Sequence, residues 1–528
     1  MSKIKELENL YTQGKLSRRS FLAATTALGV TAAAVPGLGI APARAAKKGG
    51  RLRYGSAHGS TTDSLDPATY ENGYTMAVNY SIQNHMGEVD ANGAIQPELA
   101  QSWEASPDAK KWVFKLRKGV EFHNGKSLEA EDVLASVAHH QGKDTKSPAK
   151  SLLKQVKSIK ADGKDTIVVE LEAGNADFPY IMSDYHIAIK PSKDGKINPT
   201  DGIGTGGYVL EKFDPGVRTT FKRNPNYFKS DRANFDEVEL ISIIDVAARQ
   251  NALTTGEVDA ADRIDLKTVH LLKRKPGINV METVGFKHYT FPMRTDTAPY
   301  DNNDIRLALK YLLKRDEMVK KVLRGHGVAG NDHPISPSNQ YHAKDLAQRG
   351  YDPDKAKFHL KKAGASNLKV QLSAADAAYP GAVDAAVLYQ ASAAAAGVEI
   401  EVVREPNDGY WSNVWMKKAW GACYWGGRPT EDWMFTTAYA AGGSWNDTFW
   451  KHGRFNELLV AARAELDVAK RRTMYYEMQE IVSNDGGVVV PMFANYVFAA
   501  SDKVAQPSKL AGNWDVDGMK FAERWWFA

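Results

Sequence analysis

The sequence predicts a mixed α/β protein, with α+β regions, that folds in several compact pieces. Short stretches rich in β-branched and aromatic residues, such as Trp112–Arg117, Ile167–Leu171 and Val488–Val490, are typical of strands. The longer stretch Phe455–Val482 carries apolar residues at helical spacing. Strand and helix patterns mix along the whole chain, and 528 residues are too many for one hydrophobic core. We therefore expect two or three lobes.

Further elements follow from local patterns, taken in chain order. Arg51–Tyr54 alternates and predicts a first strand, and a helix is expected from Met76. Asp304 can cap a helix, Asp316 can restart it, and Gly325 can end it.

The first 45 residues predict an export signal. Arg18 and Arg19 precede an uncharged stretch, Phe21–Ile40, and Ala43–Ala45 has the small-x-small form of a cleavage site. A paired arginine before a weakly apolar segment resembles the twin-arginine signal, which the twin-arginine export machinery recognises on folded proteins. A retained membrane anchor is the alternative, but glycines and threonines make the segment less apolar than a spanning helix. We expect residues 1–45 to be removed and the mature chain to be free in the periplasm.

Charge and cysteine content exclude several classes of protein. Removing residues 1–45 takes away six positive and two negative charges and leaves 62 Lys+Arg against 61 Asp+Glu. Nucleic acid is therefore not an expected partner, because phosphate binding needs an excess of clustered Lys and Arg. Cys423 is the only cysteine, so no intramolecular disulfide can form.

Blocks of sequence along nearly the whole mature chain resemble those of one known family and occur in that family's order. The blocks are Glu98–Asp108, Trp112–Gly125, Ala130–Val133, Gly204–Leu210, Arg223–Phe228, Leu253–Asp259, Asp304–Leu309 and Tyr351–Lys357. The family that they resemble is the family 5 extracellular solute-binding proteins, the peptide- and nickel-type receptors of ATP-binding cassette importers. The residues of these blocks are mostly typical of strands and turns, so they identify the fold and not the ligand.

The resemblance implies a two-lobed periplasmic-binding-protein fold, with a hinge and a third, inserted subdomain. The implied parts are lobe 1 at 46–295, the inserted subdomain at about 86–200, lobe 2 at 296–488 and a return to lobe 1 at 489–528. The ligand would be enclosed between the lobes.

Three motifs favour structural interpretations over a cofactor or metal site, and we expect neither. Gly202–Gly207 matches G-x-G-x-x-G, but the following residues resemble a strand and not the helix that a dinucleotide site needs. We interpret it as a crossing between subdomains that needs bare backbone. The residues from Asn513 to Gly518 resemble the start of a calcium loop, but Arg524 stands where a glutamate is needed. The thirteen histidines are scattered, apart from the pair His139–His140.

No catalytic residues are predicted. The chain lacks a nucleophile elbow, a zinc-protease helix and a phosphate loop. Cys423 lies in an apolar setting, where a thiol is usually inert.

The candidate binding residues cluster in the aromatic stretch Gly409–Phe449. Core packing accounts for about half of these rings, but Trp425 is followed directly by glycines, a proline and three charges, which is typical of a binding loop. By resemblance, Tyr74 faces the cleft from the other lobe, although a packed tyrosine is an almost equal alternative. The predicted ligand-binding residues are Tyr74, Trp411, Tyr424, Trp425, Arg428, Asp432 and Trp445.

Arg428 departs from the family's peptide code. In peptide receptors, the corresponding tryptophan-glycine loop supplies an aspartate for the ligand's ammonium group, and here Arg428 occupies the best-matching position. The region Tyr379–Asp384, where dipeptide receptors tend to place a carboxylate-binding arginine, has no arginine. A guanidinium in a closed cleft suits a carboxylate or phosphate of the ligand.

The sequence therefore predicts a monomeric periplasmic receptor that delivers a peptide, or a peptide-like amino-acid conjugate such as an opine, to an inner-membrane permease of an ATP-binding cassette importer. An oligosaccharide receptor, a nickel-chelate receptor and a periplasmic hydrolase remain as alternatives.

Overall fold

The computed structural model describes residues 48–528 of the chain. The predicted export signal, residues 1–45, lies outside this range. Within residues 48–528, every helix is too short or too polar to cross a bilayer.

Twenty-three strands lie within residues 48–528 and form sheets of two, four and seven strands. The strands before residue 300 are β1 (Arg51–Ser56), β2 (Gly87–Val89), β3 (Ile95–Pro97), β4 (Ala100–Ala105), β5 (Lys111–Leu116), β6 (Val156–Ala161), β7 (Thr166–Leu171), β8 (Ser192–Lys193), β9 (Lys196–Ile197), β10 (Tyr208–Asp214), β11 (Arg218–Arg223), β12 (Glu237–Ser242), β13 (Ala260–Ala261), β14 (Ile278–Thr283) and β15 (His288–Pro292). The later strands are β16 (Gly327–Ala329), β17 (Lys369–Ala374), β18 (Glu399–Arg404), β19 (Cys423–Trp425), β20 (Val488–Ala494), β21 (Tyr496–Ser501), β22 (Val504–Ala505) and β23 (Trp526–Phe527).

Helices connect and cover these strands. Those before residue 300 are α1 (Gly73–Ile82), α2 (Ala130–Gln141), α3 (Ala149–Leu153), α4 (Phe178–Ile181), α5 (Val246–Thr255) and α6 (Val269–Leu272). The later ones are α7 (Asn303–Tyr311), α8 (Arg315–Lys321), α9 (Pro353–Lys362), α10 (Ala382–Ala393), α11 (Tyr410–Asn413), α12 (Glu431–Ala438), α13 (Gly453–Ala464), α14 (Val468–Asp485), α15 (Asp515–Gly518) and α16 (Phe521–Arg524). Two short 3-10 turns add Pro67–Thr69 and Ala394–Ala396.

The predicted elements are confirmed, with small shifts at their ends. The first strand, the helix near Met76 and the strand at Trp112 are β1, α1 and β5. The stretch Phe455–Val482 forms two helices, α13 and α14, because Asp467 caps the second of them. The helix expected at Asp304 is capped by Asn302, whose side chain accepts a hydrogen bond from the Asp304 amide.

The first lobe is centred on the seven-stranded sheet, in the order β10-β11-β12-β1-β13-β21-β14. β1 pairs in parallel with both β12 and β13, and the remaining pairs are antiparallel. Its members come from both ends of the described chain, so β21 completes a sheet that β1 begins. A separate four-stranded sheet, β4-β5-β7-β6, lies within the predicted inserted subdomain.

The second lobe is centred on the four-stranded antiparallel sheet β16-β20-β15-β19. This pairing bears on the predicted lobe boundaries, because β15 and β20 lie almost entirely outside 296–488 and yet form the middle of the sheet. The chain crosses between the two sheets from Thr283 to His288 and again from Ala494 to Tyr496. We therefore propose these crossings as the hinge, in place of boundaries at 295/296 and 488/489.

The glycines of Gly202–Gly207 lie at a close backbone crossing, as expected. A side chain on Gly204 or on Gly206 would overlap the backbone of Ile82, at the end of α1. β10 begins directly afterwards at Tyr208, so a strand follows the motif where a dinucleotide site needs a helix.

A buried charge cluster ties distant segments of the first lobe together. The Lys229 ammonium lies 2.7 Å from Glu98, 2.9 Å from Glu88 and 3.0 Å from Glu523. The Lys520 ammonium donates to Glu98 at 2.6 Å and to Glu88 at 2.7 Å. Burial raises the pKa of Glu98, but Lys229 and Lys520 outweigh it and lower the value to about 2. The two ammonium groups and the Arg232 guanidinium, which lies 3.7 Å from both Glu88 and Glu523, balance the three carboxylates and give the cluster a structural role.

Candidate ligand-binding cleft

The loop after β19 reaches from the second lobe to the first. A side chain on Gly426 would meet the Trp514 ring at 2.8 Å, and one on Gly427 would overlap Phe286. Gly427 also has a φ of +81°, a backbone angle that residues other than glycine rarely adopt. The two glycines after Trp425 therefore let this loop lie directly against the opposite wall.

Arg428 follows these glycines and is buried, with 4% of its surface exposed. Its guanidinium carbon lies 5.1 Å from the centre of the Trp514 ring and 5.7 Å from that of Trp433. Nη1 donates to the carbonyl of Gly427 at 2.6 Å, and Nε has no hydrogen-bond partner among residues 48–528. A buried guanidinium with an unused donor can bind an anionic group strongly.

Five large rings of the second lobe pack beside this loop. They are Trp411, Trp415, Tyr424, Trp425 and Trp445, with neighbouring ring centres between 5.6 and 6.3 Å apart. Trp411 is 38% exposed, whereas Trp425 is 5% exposed. The cluster reaches the first lobe at Trp445, whose ring lies 6.4 Å from that of His186. The rings meet mostly edge to face, and together they can offer an apolar wall to a ligand.

Tyr74 has a different environment from the one predicted. Its side chain is fully buried in the first lobe, and its hydroxyl lies 2.8 Å from the Thr219 hydroxyl. The pairing satisfies the hydroxyl inside the apolar core, so we assign Tyr74 to packing and leave it out of the site.

Asp432 also has a local partner. The Arg463 side chain donates to it at 2.9 Å, and 1% of the Asp432 side chain is exposed. This ion pair joins α12 to α13 within the second lobe. The Asp432 Oδ2 has no hydrogen-bond partner among residues 48–528, but we propose a structural role for Asp432 because its charge is already balanced by Arg463.

The first lobe supplies residues that lacked any local signal in the sequence. Trp514, in the segment before α15, stacks against Arg428, and Tyr185 packs edge-on against Trp514 with ring centres 5.4 Å apart. At the hinge end, the Arg263 guanidinium lies 5.1 Å from the Tyr424 ring centre. Arg263 comes from a loop of the first lobe and Tyr424 from β19, so this contact spans the cleft.

An ion pair also links the lobes at the opposite end. Arg471 on α14 donates through Nη1 and Nη2 to the two carboxylate oxygens of Asp177, at 3.3 and 2.5 Å. Asp177 lies in the inserted subdomain, next to Ala176, whose amide donates to the Arg463 carbonyl at 3.0 Å. The lobes are thus in direct contact at both ends of the cleft.

The cavity beside Arg428 is small. Its lining includes Tyr80, Ser183, Pro429, Trp433 and Trp514, and its volume is about 10 Å³. That space holds about one water molecule. Any larger ligand therefore needs the lobes to part before it can enter.

Cys423 lies inside the second lobe, with 1% of its surface exposed. Burial raises the pKa of its thiol well above the usual value, which disfavours the reactive thiolate. The geometry agrees with the prediction that this cysteine is inert.

Comparison with known proteins places the chain in one family. The profile described as "Bacterial extracellular solute-binding proteins, family 5 Middle" matches residues 94–447. A relative named di/tripeptide-binding protein 1, from Pseudomonas aeruginosa, is 26% identical over 462 residues, which cover 79% of this chain and 84% of the relative.

Solved structures show the same fold. The periplasmic binding protein DppA of Helicobacter pylori, in complex with the peptide STSA, has a TM-score of 0.79 and 23% identity, covering 91% of this chain and 99% of its own. The binding protein AgaA of A. tumefaciens, in complex with agropinic acid, has a TM-score of 0.82 and 22% identity, with the same coverage.

The expected two-lobed binding-protein fold is therefore confirmed. These relatives are binding proteins, so the prediction that the chain is not an enzyme is confirmed as well. The chain is a member of family 5 of the bacterial extracellular solute-binding proteins.

Proposed function

We propose that this protein captures a small peptide, or a peptide-like amino-acid conjugate, between its two lobes and delivers it to an inner-membrane permease of an ATP-binding cassette importer. The family and the relatives that bind peptides and agropinic acid support this class of ligand. The observation that carries the proposal is Arg428, a buried guanidinium at the lobe boundary with an unused donor.

Arg428 would bind an anionic group of the ligand, such as a carboxylate. The Trp514 and Trp433 rings hold the guanidinium in place, and the aromatic cluster around Trp425 would cover the apolar part of the ligand. Lobe closure then excludes water and strengthens the ion pair. The mechanism is the shift of an equilibrium between open and closed forms, because ligand contacts from both lobes stabilise only the closed form.

A thermal-shift screen identifies the ligand class. The panel contains dipeptides, opines, oligosaccharides and nickel complexes, since binding to the native state raises the melting temperature. Stabilisation by oligosaccharides or nickel complexes alone would contradict the proposal.

Titration calorimetry with the best ligand then tests the role of Arg428. Arg428→Ala leaves the ligand's anion desolvated and unpaired, so we expect a loss of about 2–5 kcal/mol of binding free energy, mostly as faster release. Arg428→Lys keeps the charge and recovers part of that loss. Arg454→Ala, which removes an exposed arginine paired with Glu477, serves as the control and leaves affinity unchanged. Unaltered affinity in Arg428→Ala would rule out this site.

Export and oligomeric state complete the proposal. We propose that the twin-arginine machinery exports the folded precursor and that the mature protein is a monomer. Replacing Arg18 and Arg19 together by lysine is expected to keep the precursor in the cytoplasm, and periplasmic accumulation of this variant would contradict the assignment. Small-angle scattering gives the mass, and it is expected to show compaction with saturating ligand; identical profiles would argue against lobe closure.

A further inference from the structure

The hinge end of the cleft contains a second buried cation, Lys287. It lies in the first proposed hinge crossing, just before β15, and 6% of its surface is exposed. Its ammonium lies 4.4 Å from the centre of the Tyr496 ring, which belongs to the second crossing. Burial lowers the pKa of Lys287 to about 8, so the charged form is present at neutral pH but is poorly solvated.

Arg263 approaches the same region from the first lobe. Its Nε lies 3.4 Å from Asp515 Oδ2, while its guanidinium faces the Tyr424 ring. Tyr424 pairs with Tyr289 across β19 and β15, two residues after Lys287. The two cations therefore face one end of the cleft, Lys287 from the hinge crossing and Arg263 from the first lobe.

The carboxylates nearby do not balance these cations. The charged groups that act on Lys287 are Asp515, Arg263 and Asp262. Asp262 is already paired with Arg249, at 3.5 Å. Lys287 and Arg263 thus share the single charge of Asp515. The two cations therefore exceed the available carboxylates by one buried positive charge. An unpaired buried charge is destabilising, so a ligand anion bound here would be stabilised.

Asp515 has a carboxylate oxygen that is free to accept a hydrogen bond from a ligand. It is 3% exposed, and its Oδ1 has no hydrogen-bond partner among residues 48–528. The backbone beside it is strained, since Val516 and Asp517 have φ values of 44° and 59°. A buried carboxylate oxygen without a donor can accept from a ligand N–H.

The hinge end and Arg428 belong to one continuous surface. The Tyr496 hydroxyl donates to the Gly426 carbonyl at 2.7 Å, two residues before Arg428. Trp514, next to Asp515 in the chain, stacks on the Arg428 guanidinium. The hinge end and Arg428 therefore border the same part of the cleft.

We propose that Lys287 and Arg263 bind a second anionic group of the ligand, so that the receptor selects an amine with two carboxylate-bearing arms, the chemistry of an opine. Arg428 takes one carboxylate, the hinge cations take the other, and Asp515 Oδ1 accepts from the amine between them. The inference rests on the proposed function, because it assumes that Arg428 binds the first carboxylate.

Two matched probes test it by titration calorimetry. Alanopine carries an amine between two carboxylate-bearing arms, and N-ethylalanine is the same amine without the second carboxylate. We expect the wild-type protein to bind alanopine about 10–100-fold more tightly, as a charge-assisted hydrogen bond would give. Lys287→Met removes this preference and changes the affinity for N-ethylalanine by no more than about twofold. Lys287→Arg keeps the preference, and Lys320→Met, which replaces an exposed lysine of α8, leaves both affinities unchanged.

The outcomes separate this inference from the proposed function. Equal binding of the two probes by the wild-type protein overturns the inference, and this result does not depend on whether Lys287→Met folds. An alanopine preference that survives in folded Lys287→Met also overturns it. If neither probe binds but a dipeptide of the thermal-shift panel does, the inference fails and the proposed function stands. If no peptide or opine binds at all, both fail.

Discussion

The ion pair between Asp177 and Arg471 predicts that binding and stability can be changed separately. The pair joins the inserted subdomain to α14 of the second lobe, so it exists only while the lobes are in contact. Asp177→Asn keeps the size of the side chain and removes its charge. It leaves Arg471 its hydrogen bond to the Ala462 carbonyl, at 3.0 Å, within the second lobe.

The magnitude follows from the geometry. The carboxylate accepts two hydrogen bonds, at 3.3 and 2.5 Å, and the two side chains are 8% and 14% exposed. Burial raises the pKa of Asp177, and Arg471 opposes that rise. A charge-assisted contact of this kind contributes about 2 kcal/mol after discounting for partial exposure, which corresponds to about a 30-fold loss of affinity.

Titration calorimetry with the screened ligand measures the affinity, and a melting curve without ligand measures stability. We expect Asp177→Asn to weaken binding and to leave the melting temperature of the ligand-free protein unchanged, because under the proposed mechanism the ligand-free protein is mostly open and the parted lobes lack the pair. The matched control is Glu477→Gln. Glu477 lies on α14, as Arg471 does, and accepts two hydrogen bonds from Arg454 of α13, so this pair lies inside the second lobe. If Asp177→Asn lowers the melting temperature and leaves the affinity intact, the pair is a permanent structural contact and the reasoning is refuted.

Three further predictions concern stability and are checked by urea unfolding. Gly206→Ala places a methyl group 2.6 Å from the Ser81 carbonyl oxygen, so it should lower the free energy of unfolding by about 1–3 kcal/mol. The control is Gly350→Ala, where the methyl group enters open space and should lower the free energy of unfolding by less than about 0.5 kcal/mol. Lys310→Met removes donors to the carbonyls of Ser483 and Gly486, both at 2.8 Å, and should cost about 2–4 kcal/mol; equal stability of the variant and the wild type would contradict this role. Burial raises the pKa of Asp447 to about 6, so its contribution to the free energy of unfolding is present at low pH and is lost as the pH rises through about 6. Asp447→Asn lacks this change, so its free energy of unfolding should rise by about 3 kcal/mol relative to that of the wild type as the pH goes from about 3 to about 7.5. If the difference in free energy of unfolding between the two proteins stays constant over this range, Asp447 is not the titrating group.

The sequence predicted those parts of the fold that depend on local patterns. In strands such as β5 and helices such as α13, apolar residues recur at the spacing that puts them on the buried face. The glycines before Tyr208 lie where two backbone segments cross too closely for a side chain. The lobe boundaries were harder to place. β15 and β20 are neighbours in space but about 200 residues apart in the chain, and no local pattern records that pairing.

The cleft was predictable on one wall only. Arg428 stands out because glycines and a tryptophan precede it, and its ligand role stays a prediction. Tyr74 and Asp432 have the residue types of binding groups, but their partners, Thr219 and Arg463, lie far away in the sequence. Asp515 and Lys287 gave no local signal of a cleft, since their environment comes from segments of both lobes.

The closure of the first lobe by distant segments has a consequence for the order of assembly. Lys520 meets Glu98 across 422 residues of chain, and Arg524 meets the Val89 carbonyl across 435. Loops of that length close late, because the entropy cost of closure comes before any stabilising contact can offset it. Most of the second lobe, by contrast, comes from one continuous stretch. We therefore expect it to fold first and the seven-stranded sheet to close last, leaving β13 and β14 without β21 in the intermediate. Unpaired strand edges of this kind promote aggregation, so the yield of refolding should depend on protein concentration more steeply than the stability of the finished molecule would indicate.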